Sequence, residues 1–311
     1  GGDRTSGYEC AKLQLMRSVD DVNPEEELAN LEDYIMETAN QLEIGMMGFG
    51  GKKTLLGCKI GAVNRIAPSF FVSVAYNCWA FRRRGVFIDP QTGSITEWQY
   101  ERESQTQTEG ETKDSSFEDA IVLSTPLSEE DVRKLKVGDV VVINGQMHTG
   151  RDNLHKYLMD HDSPVDLNGG IIYHCGPVMI KDEEGNWKVN AAGPTTSSRE
   201  EPYQATVIKK FGIRAVVGKG GMGEKTLQGL KKSGCVYLNA IGGAAQFYAK
   251  ALKKVTGVHF LEEFGVPEAM WHLEAEGFVA IVTMDAHGNS LHKDVHEQSR
   301  MKLSDFEKRV F

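Results

Sequence analysis

The chain has 311 residues, of which 40% are hydrophobic and 25% are charged, and it carries a formal net charge of -9 with a pI near 5.6. This composition is typical of a soluble globular protein with one or two domains. Nucleic acid is excluded as a default partner, because phosphate binding needs clustered Lys and Arg side chains and the sequence has no long basic run. An anionic ligand would therefore need positive charge that is concentrated locally.

Targeting and redox signals indicate an intracellular protein. No apolar run approaches the ~20 residues that span a bilayer, and the N-terminus lacks the basic-then-apolar pattern of a secretory signal. We therefore expect a cytoplasmic location. The cysteines are odd in number and scattered without a Cys-x-x-Cys pair, which indicates reduced thiols rather than a disulfide framework. They are Cys10, Cys58, Cys78, Cys175 and Cys235.

The first predicted element is a helix that begins in residues 23–27, Asn-Pro-Glu-Glu-Glu. A capping residue, a proline in the first turn and acidic residues at the positive end of the helix dipole all favour this start. Apolar residues then recur at helical spacing until the helix ends near Gly45. Its apolar face has no visible partner upstream, so we interpret residues 1–45 as the end of a larger unit.

A domain boundary is predicted in the polar stretch that follows the next apolar segments. Residues 69–84 are expected to form a buried strand that runs into a turn at Asn77-Cys78. Residues 89–118 are rich in Gln, Thr, Ser and Glu, which is typical of a linker or a peripheral hairpin. The predicted organisation is therefore a first domain over residues 1–88, a linker over 89–119 and a second domain over 120–311.

The second domain alternates short apolar runs with helical patterns. Strands are predicted at residues 140–143, 170–174, 187–190, 214–217, 235–238 and 278–282, and helices near 152–159, 201–211, 225–232 and 243–254. This alternation predicts an α/β fold with a largely parallel sheet and flanking helices, preceded by an incomplete α+β segment. In such sheets ligands bind beyond the carboxyl ends of the strands.

Loops with one cationic residue each follow predicted strands. They hold Arg151 in residues 145–152, Arg199 after the hydroxyl run of residues 195–198, and Lys219 in the glycine-rich residues 218–223. Each loop alone is more typical of a surface turn or helix cap. Together they would supply three positive charges in one crevice, which suits a small dicarboxylate.

A dinucleotide site is a competing interpretation of the glycine-rich loop. Gly218, Gly220 and Gly223 fit the Gly-x-Gly-x-x-Gly pattern of NAD-binding folds. That pattern wants an acidic residue about 20 positions further on to bind the ribose. The corresponding segment from Tyr237 reads Tyr-Leu-Asn-Ala-Ile-Gly-Gly and has no acid, which disfavours an NAD-dependent oxidoreductase.

The ordered motifs of the chain resemble a known enzyme family, the class I (iron–sulfur) fumarate hydratases. The second domain is similar to their C-terminal domain in residues 150–155, 173–177, 192–199, 218–223, 239–245 and 284–292. The related β subunit of L-tartrate dehydratase shares several of these motifs. Residues 45–51 and 77–83 resemble the tail of the α domain of the same hydro-lyases.

The resemblance implies reversible dehydration of (S)-malate to fumarate, in the tricarboxylic acid cycle, by a homodimeric enzyme. In the family three cysteines hold a 4Fe-4S cluster, and its open iron acts as a Lewis acid on the substrate hydroxyl. By resemblance Thr195 is the catalytic base. Arg151, Arg199 and Lys219 bind substrate carboxylates, and Cys78 corresponds to the third cluster ligand.

Two departures from the family pattern affect this interpretation. Ile66 stands where some relatives have a histidine. The other two cluster cysteines and several substrate-binding residues belong to the part of the α domain that precedes this sequence in the family. We therefore expect the chain to be incomplete by itself, either as a fragment or as a subunit that needs a partner. L-tartrate dehydration and a non-catalytic partner subunit remain alternative functions.

Several histidines could pass for metal ligands. His287 and His292 lie in one loop, but no third ligand is suitably spaced, so we favour a structural role. His148 and His155 flank Arg151 and are candidates to orient it.

Overall fold

The structure is a computed structural model that describes residues 3–64, 70–78, 81, 85–99 and 119–306. It divides into two compact units, one of residues 1–41 and 53–115 and the other of residues 42–52 and 116–311. This division does not test the domain limits predicted from the sequence, which stay a prediction. Ile66 and the part of the predicted linker from residue 100 to 118 lie outside the described residues.

In the residues that the structure describes, the first unit contains two helices and a β-hairpin. They are α1 (Arg4–Gln14), α2 (Glu26–Gln41), β1 (Gly85–Ile88) and β2 (Ile95–Gln99). The buried carboxylate of Glu32 in α2 accepts hydrogen bonds from the Asn23 side chain at 2.8 Å and the Ile60 amide at 2.7 Å. This carboxylate therefore fastens two loop segments to the helix that the acidic and periodic pattern predicted.

The prediction of a buried strand over residues 69–84 is wrong for the described residues 70–78. Residues 70–78 contain no strand. The side chains of Phe70, Val72, Val74 and Tyr76 are 77%, 79%, 76% and 90% exposed. Their apolar alternation is typical of a strand, but a strand forms only where a neighbour satisfies its backbone groups, and residues 70–78 pair with none of the described strands.

The second unit is built on a seven-stranded sheet and a separate hairpin. The strands are β3 (Ile121–Ser124), β4 (Val140–Thr149), β5 (Ile171–Tyr173), β6 (Val178–Lys181), β7 (Trp187–Ala191), β8 (Ala215–Gly218), β9 (Val236–Asn239), β10 (Leu252–His259) and β11 (Met270–Met284). The sheet order is β10-β11-β9-β8-β5-β4-β3, and β6 and β7 form the hairpin. The neighbours β3, β4, β5, β8 and β9 run parallel, which confirms the predicted α/β fold with a largely parallel sheet.

One long antiparallel strand closes this sheet on itself. β11 pairs with β9 through residues 281–284 and with β4 through residues 272–281. The strands β4, β5, β8, β9 and β11 therefore form a closed ring of hydrogen-bonded neighbours. Closure leaves no free edge on these strands.

Helices of the second unit follow the strands as predicted, with one difference. They are α3 (Glu129–Lys134), α4 (Asp152–Asp160), α5 (Gln204–Phe211), α6 (Glu224–Ser233), α7 (Ala245–Ala251), α8 (Leu261–Phe264) and α9 (Leu291–Phe306), with short 3₁₀ turns at Met46–Gly48 and Ser197–Arg199. The helix expected over residues 243–254 ends at Ala251, because Leu252 to His259 pair with β11 instead.

The two faces of the central strands bury two separate apolar clusters. In β5, Ile171 and Tyr173 belong to one cluster and Ile172 to the other. The second cluster also contains the inner faces of α4, α5 and α6, including Leu154, Val207 and Leu227. Each fully buried side chain of this size contributes about 1.5–3 kcal/mol. This packing fixes the helix starts beside the carboxyl ends of the parallel strands.

Candidate active site

The loops that carry Arg151, Thr195 and Lys219 meet at the carboxyl edge of the parallel strands. The Gly150 amide after β4 donates to the Tyr173 carbonyl in β5 at 3.0 Å. The His174 amide after β5 donates to the Val217 carbonyl in β8 at 2.7 Å. Each loop therefore leaves the sheet next to its neighbour, which is where α/β folds place their ligand sites.

Main-chain hydrogen bonds hold the hydroxyl turn between two of these strand ends. The Thr195 amide donates to the His174 carbonyl at 2.7 Å, and the Lys219 amide donates to the Thr195 carbonyl at 3.1 Å. The Ser197 amide then donates to the Lys219 carbonyl at 3.1 Å, so that Thr196 and Lys219 form a short parallel bridge. The structure thus brings the predicted base and one predicted carboxylate-binding residue together on adjacent backbone.

Arg151 lies at the start of α4, one strand away from this bridge. Its guanidinium is half-buried and forms an ion pair with Glu268 at 3.1 Å, while its Nε atom is buried without a hydrogen-bond partner. Gly176 permits this placement, because a Cβ there would lie 2.7 Å from Nη1 of Arg151. Glu268 offsets part of the positive charge of Arg151.

Arg199 ends the 3₁₀ turn that follows Thr195 and Thr196, and its side chain is exposed. Within the described residues, neither Arg199 nor Lys219 forms an ion pair with a carboxylate. Two cations therefore stand on the hydroxyl turn and the strand end bonded to it, with a third on the neighbouring loop. Their roles toward a substrate stay predictions.

A buried polar network that sequence reasoning missed supports the hydroxyl turn from below. The Ser197 hydroxyl accepts from the Tyr237 hydroxyl at 2.9 Å and lies 2.8 Å from Nδ1 of His174. Nε2 of His174 lies 2.8 Å from Oε1 of Gln204. Since that oxygen can only accept, Nε2 carries the proton and Nδ1 accepts from Ser197. Burial holds the pKa of His174 well below its usual value, which keeps this neutral tautomer in place.

The network leaves no spare volume around Ser197. A Cβ at Gly218 would lie 1.8 Å from the Ser197 oxygen and 3.0 Å from the Tyr237 hydroxyl. Glycine at the end of β8 is therefore required for the hydroxyl to sit against the strand. In the sequence Ser197 is one of four consecutive hydroxyl residues, and no local signal marks it as the buried one.

Two acids, the fully buried Glu200 and the half-buried Asp152, also lie in this region. Glu200 is fully buried, and neither of its carboxylate oxygens has a hydrogen-bond donor. Burial, followed by the influence of the Asp152 carboxyl group, raises the pKa of Glu200 to about 8. The sequence Arg-Glu-Glu-Pro from residue 199 gives no indication of this, because an acidic pair after a turn is usually exposed.

The N-terminus of α6, which follows the glycine-rich loop, is already capped by the carboxylate of Glu201. The Glu201 carboxylate accepts from the Gly223 amide at 2.7 Å, and from the Thr226 amide at 3.1 Å and its hydroxyl at 2.7 Å. A pyrophosphate in a dinucleotide fold binds to these first-turn amides. The internal carboxylate therefore counts against the NAD-binding interpretation, in addition to the missing ribose-binding acid.

The histidines considered as metal ligands are bonded to protein groups. Nε2 of His287 lies 2.9 Å from the Arg133 carbonyl, and Nε2 of His292 lies 3.0 Å from the Thr283 hydroxyl. His148 contacts His272 at 2.6 Å between their Nδ1 atoms instead of orienting Arg151. His155 contacts Arg151 only through the carbonyl of that residue, at 2.9 Å.

Cys78 is the one cysteine of the described residues whose thiol is exposed, and it is free. Burial raises the pKa of the Cys175 thiol to about 12 and also raises that of Cys235. A cluster ligand must be a thiolate, so these two buried thiols do not fit the role, and the assignment of the exposed Cys78 stays a prediction. No group of three or more His, Cys, Asp or Glu side chains in the described part of the chain could hold a metal ion.

The second unit is therefore an α/β domain with a closed, largely parallel sheet. It presents cations and a hydroxyl turn at one edge of that sheet. Two family models match the chain: Fumarase C-terminus over residues 93–295 and Fumarate hydratase (Fumerase) over residues 1–86. The chain belongs to the fumarase family.

Individual relatives agree with this membership. A protein of Geobacillus stearothermophilus, provisionally named a class I fumarate hydratase, is 65% identical over all of this chain, which spans 62% of that protein. A protein of Methanocaldococcus jannaschii, provisionally named an L(+)-tartrate dehydratase subunit beta, is 43% identical over 58% of this chain and 94% of its own length. The L(+)-tartrate dehydratase subunit beta of Escherichia coli K12 is 37% identical over 55% of this chain and 85% of its own length.

None of the helices in the described residues has the length and apolar character that crossing a bilayer requires.

Proposed function

We propose that this chain supplies the proton-accepting and carboxylate-binding residues of a class I, iron–sulfur fumarate hydratase. That enzyme is a hydro-lyase that interconverts (S)-malate and fumarate. The observation that carries the proposal is the backbone bridge that sets Thr195 beside Lys219, next to the strand end with Arg151. The family membership and the Geobacillus relative support the same reaction.

Substrate binding in this proposal rests on the cations. A four-carbon dicarboxylate carries two negative charges, one at each end. Arg151 offers a guanidinium fork for one carboxylate, and Lys219 with Arg199 offers the charge for the other. Glu268 holds Arg151 in place through its ion pair. The chain as a whole carries a formal net charge of -9, so these cations differ in sign from the molecule as a whole.

Thr195 is assigned the proton transfer. In the dehydration direction its deprotonated hydroxyl takes a proton from C3 of malate, the C–H electrons form the double bond, and hydroxide leaves C2. A neutral threonine is a weak base, so the positive charges of Lys219 and Arg199 are needed to favour its alkoxide form. Thr195 is half-buried, which limits the water that would otherwise compete for the proton.

The leaving hydroxide is the second chemical problem, and a 4Fe-4S cluster, when bound, would supply a Lewis acid for it. Cys78 would be one ligand of that cluster, and residues outside this chain would supply the others. The missing ligands define the partner we propose: the α-domain portion or subunit that completes the enzyme. From the resemblance alone we also propose a cytoplasmic homodimer that acts in the tricarboxylic acid cycle.

L-tartrate dehydration is the second candidate. It is favoured by the β subunits named for that reaction, which this chain matches over 94% and 85% of their length. Both reactions remove water from a hydroxylated four-carbon dicarboxylate, so the same cations would serve either one. Turnover of fumarate, malate and tartrate measured side by side in the complete enzyme separates them.

The experiment that tests the proposed function compares two adjacent threonines. In the anaerobically purified complete enzyme, Thr195→Ala should lower kcat for fumarate hydration by about 10²–10⁴, the typical contribution of a positioned acid or base. Its KM should change little. The exposed neighbour Thr196 provides the matched control, and Thr196→Ala should keep kcat within a few fold. Near-normal kcat in Thr195→Ala would refute the assignment.

A further inference from the structure

The loop of residues 44–51, Ile-Gly-Met-Met-Gly-Phe-Gly-Gly, belongs to the second unit although it precedes the polar stretch in the chain. The Gly50 amide donates to the Ile44 carbonyl at 2.8 Å, and Ile44 and Gly51 form a short parallel bridge. Gly45 permits this close return, because a Cβ there would overlap the Gly50 carbonyl oxygen. The loop is therefore a closed turn of defined shape, and the proposed function assigns it no role.

Aromatic contacts seat this loop beside the glycine-rich loop that carries Lys219. The centroids of the Phe49 and His292 rings lie 6.1 Å apart, within the range of favourable contacts between aromatic rings. His292 in turn fills the space over Gly221, where a Cβ would overlap the imidazole ring. Packing from the loop therefore reaches Gly221, two residues from Lys219.

Met47 provides a second and more direct path to Lys219. The Gly242 amide donates to the Met47 sulfur at 3.3 Å. A Cβ at Gly242 would lie 3.7 Å from that sulfur and 3.5 Å from Cδ of Lys219. The thioether and the stem of the lysine therefore pack at the same glycine.

The backbone of Met47 is held in an unfavourable conformation. Its φ and ψ are 56° and 19°, in the left-handed region that residues with a side chain adopt infrequently. Such conformations persist only where the surrounding contacts over-determine them, and they concentrate at functional sites. The contact with Gly242 is one of those contacts. The adjacent Met46 is 48% exposed, so the two methionines have different environments.

Packing is also what can give the Lys219 ammonium a direction. A lysine side chain is a flexible stem that loses rotamer entropy when it is held in one conformation. Among the described residues no carboxylate forms an ion pair with Lys219, so no counter-ion fixes it. The side chain is nevertheless half-buried. Its stem lies beside Gly242 and its backbone is bridged to Thr196.

We propose that Met47 is a positioning residue for Lys219: with Gly242 it forms a wall beside the lysine stem, which holds the ammonium at the hydroxyl turn for a substrate carboxylate. This inference rests on the proposed function for its effect on substrate, and it assigns no contact with the reacting atoms to Met47. It also makes the site composite. Met47 lies in the residues matched by the Fumarate hydratase (Fumerase) model, and Lys219 lies in those matched by the Fumarase C-terminus model.

The first test is steady-state kinetics of the complete enzyme with matched methionine variants. Met47→Ala removes the wall, so KM for fumarate should rise roughly tenfold, while kcat should fall by less than about threefold because Arg199 still supports Thr195. Met47→Leu has a similar volume and should keep KM within about twofold of the wild type. Met46→Ala, at the exposed neighbour, is the control and should leave both constants unchanged.

Chemical labelling of the chain tests the wall without any activity. Acetic anhydride acetylates lysine amines faster when they are exposed, and peptide mass spectrometry measures each site. Relative to the exposed Lys232, Lys219 should react at least about threefold faster in Met47→Ala than in the wild type, because its stem is no longer covered. Met47→Leu and Met46→Ala should both react at the wild-type rate.

The outcomes separate this inference from the proposed function. Equal labelling of Lys219 in the wild type and in Met47→Ala would overturn the positioning role, and so would a KM in Met47→Leu as high as in Met47→Ala. Faster labelling in Met47→Ala, together with a complete wild-type enzyme that turns over none of the dicarboxylates, would support the wall beside Lys219 and overturn the proposed function.

Discussion

Consecutive hydroxyl residues in one turn have different environments in this chain. Thr195 is half-buried, Thr196 is exposed, Ser197 is buried and Ser198 is exposed. The difference arises because the backbone at Thr196 is extended and bridged to Lys219, and side chains alternate in direction along extended backbone. A run that resembles a uniform solvated loop in the sequence therefore places one hydroxyl at the site and one in the network beneath it.

Ser197 should contribute to stability as well as to the shape of the turn. Ser197→Ala removes the hydrogen-bond partner of both His174 and Tyr237 while both stay buried. Leaving buried polar groups unpaired costs about 1–3 kcal/mol. We expect the free energy of unfolding in urea to fall by that amount. Ser198→Ala, at the exposed neighbour, should change it by less than about 0.5 kcal/mol. Equal effects of the two substitutions would contradict the network.

The raised pKa of Glu200 also predicts how stability depends on pH. Between pH 4.5, the ordinary value, and about 8, the unfolded chain has released the Glu200 proton and the folded chain retains it. Stability from this group is therefore fully present below pH 4.5 and is lost as the pH rises toward 8. The slope is up to about 1.4 kcal/mol per pH unit.

Glu200→Gln should remove this contribution to the slope. Its free energy of unfolding relative to the wild type should increase steadily from pH 5 to pH 8 and level off above that. Urea unfolding at several pH values measures the difference, with Glu183→Gln as an exposed control. A difference that is independent of pH would mean that Glu200 is ionised in the folded protein.

At the scale of elements, the sequence was informative where one pattern determines one structure. The strands near residues 140, 171, 215 and 236 and the helix at 152 were predictable, because buried parallel strands are continuous apolar runs and helices follow them. β10 was missed because Lys253 and Lys254 suit a helix, and two register shifts obscure the strand alternation. Most of β11 was missed because Gly277, at φ 72, interrupts its pattern.

The candidate site was predictable to a similar, limited extent. Cations and hydroxyls that follow strands could be placed at one edge from topology alone. The buried roles of His174, Glu200 and Gln204 could not, because burial of a polar side chain is decided by contacts between segments far apart in the sequence. No local pattern distinguishes a buried acid from an exposed one.

Helix α6 offers a prediction at this scale, because the glycine-rich loop depends on a cap from another segment. Glu201→Ala removes the carboxylate that receives the Gly223 and Thr226 amides. Loss of a capping side chain typically destabilises a helix by about 1 kcal/mol. Hydrogen exchange at the first-turn amides of α6 should accelerate several-fold, while α4 should be unaffected. Unchanged exchange in α6 would show that the cap is dispensable.

At the scale of the whole molecule, each unit has a different relation to the proposed enzyme. The second unit holds the described cations and the hydroxyl turn, on a ring of strands that closes without free edges. The first unit holds Cys78, and in it Phe70, Val72, Val74 and Tyr76 expose apolar side chains at strand-like spacing. Exposed apolar residues in such a pattern are typical of a surface that a further strand covers.

The proposed function predicts that activity depends on cluster ligands supplied from outside this chain. The chain spans 62% of the Geobacillus relative, and one exposed thiol cannot hold a four-iron cluster. The chain purified anaerobically by itself should show fumarate hydration no faster than the buffer. Joined to the remaining portion of that relative, it should develop iron–sulfur absorbance and turn over fumarate. Cys78→Ser in the joined protein should abolish both, whereas Cys235→Ser at a buried thiol should retain the absorbance. Full activity of the chain alone would contradict the need for a partner and the assignment of Cys78 together.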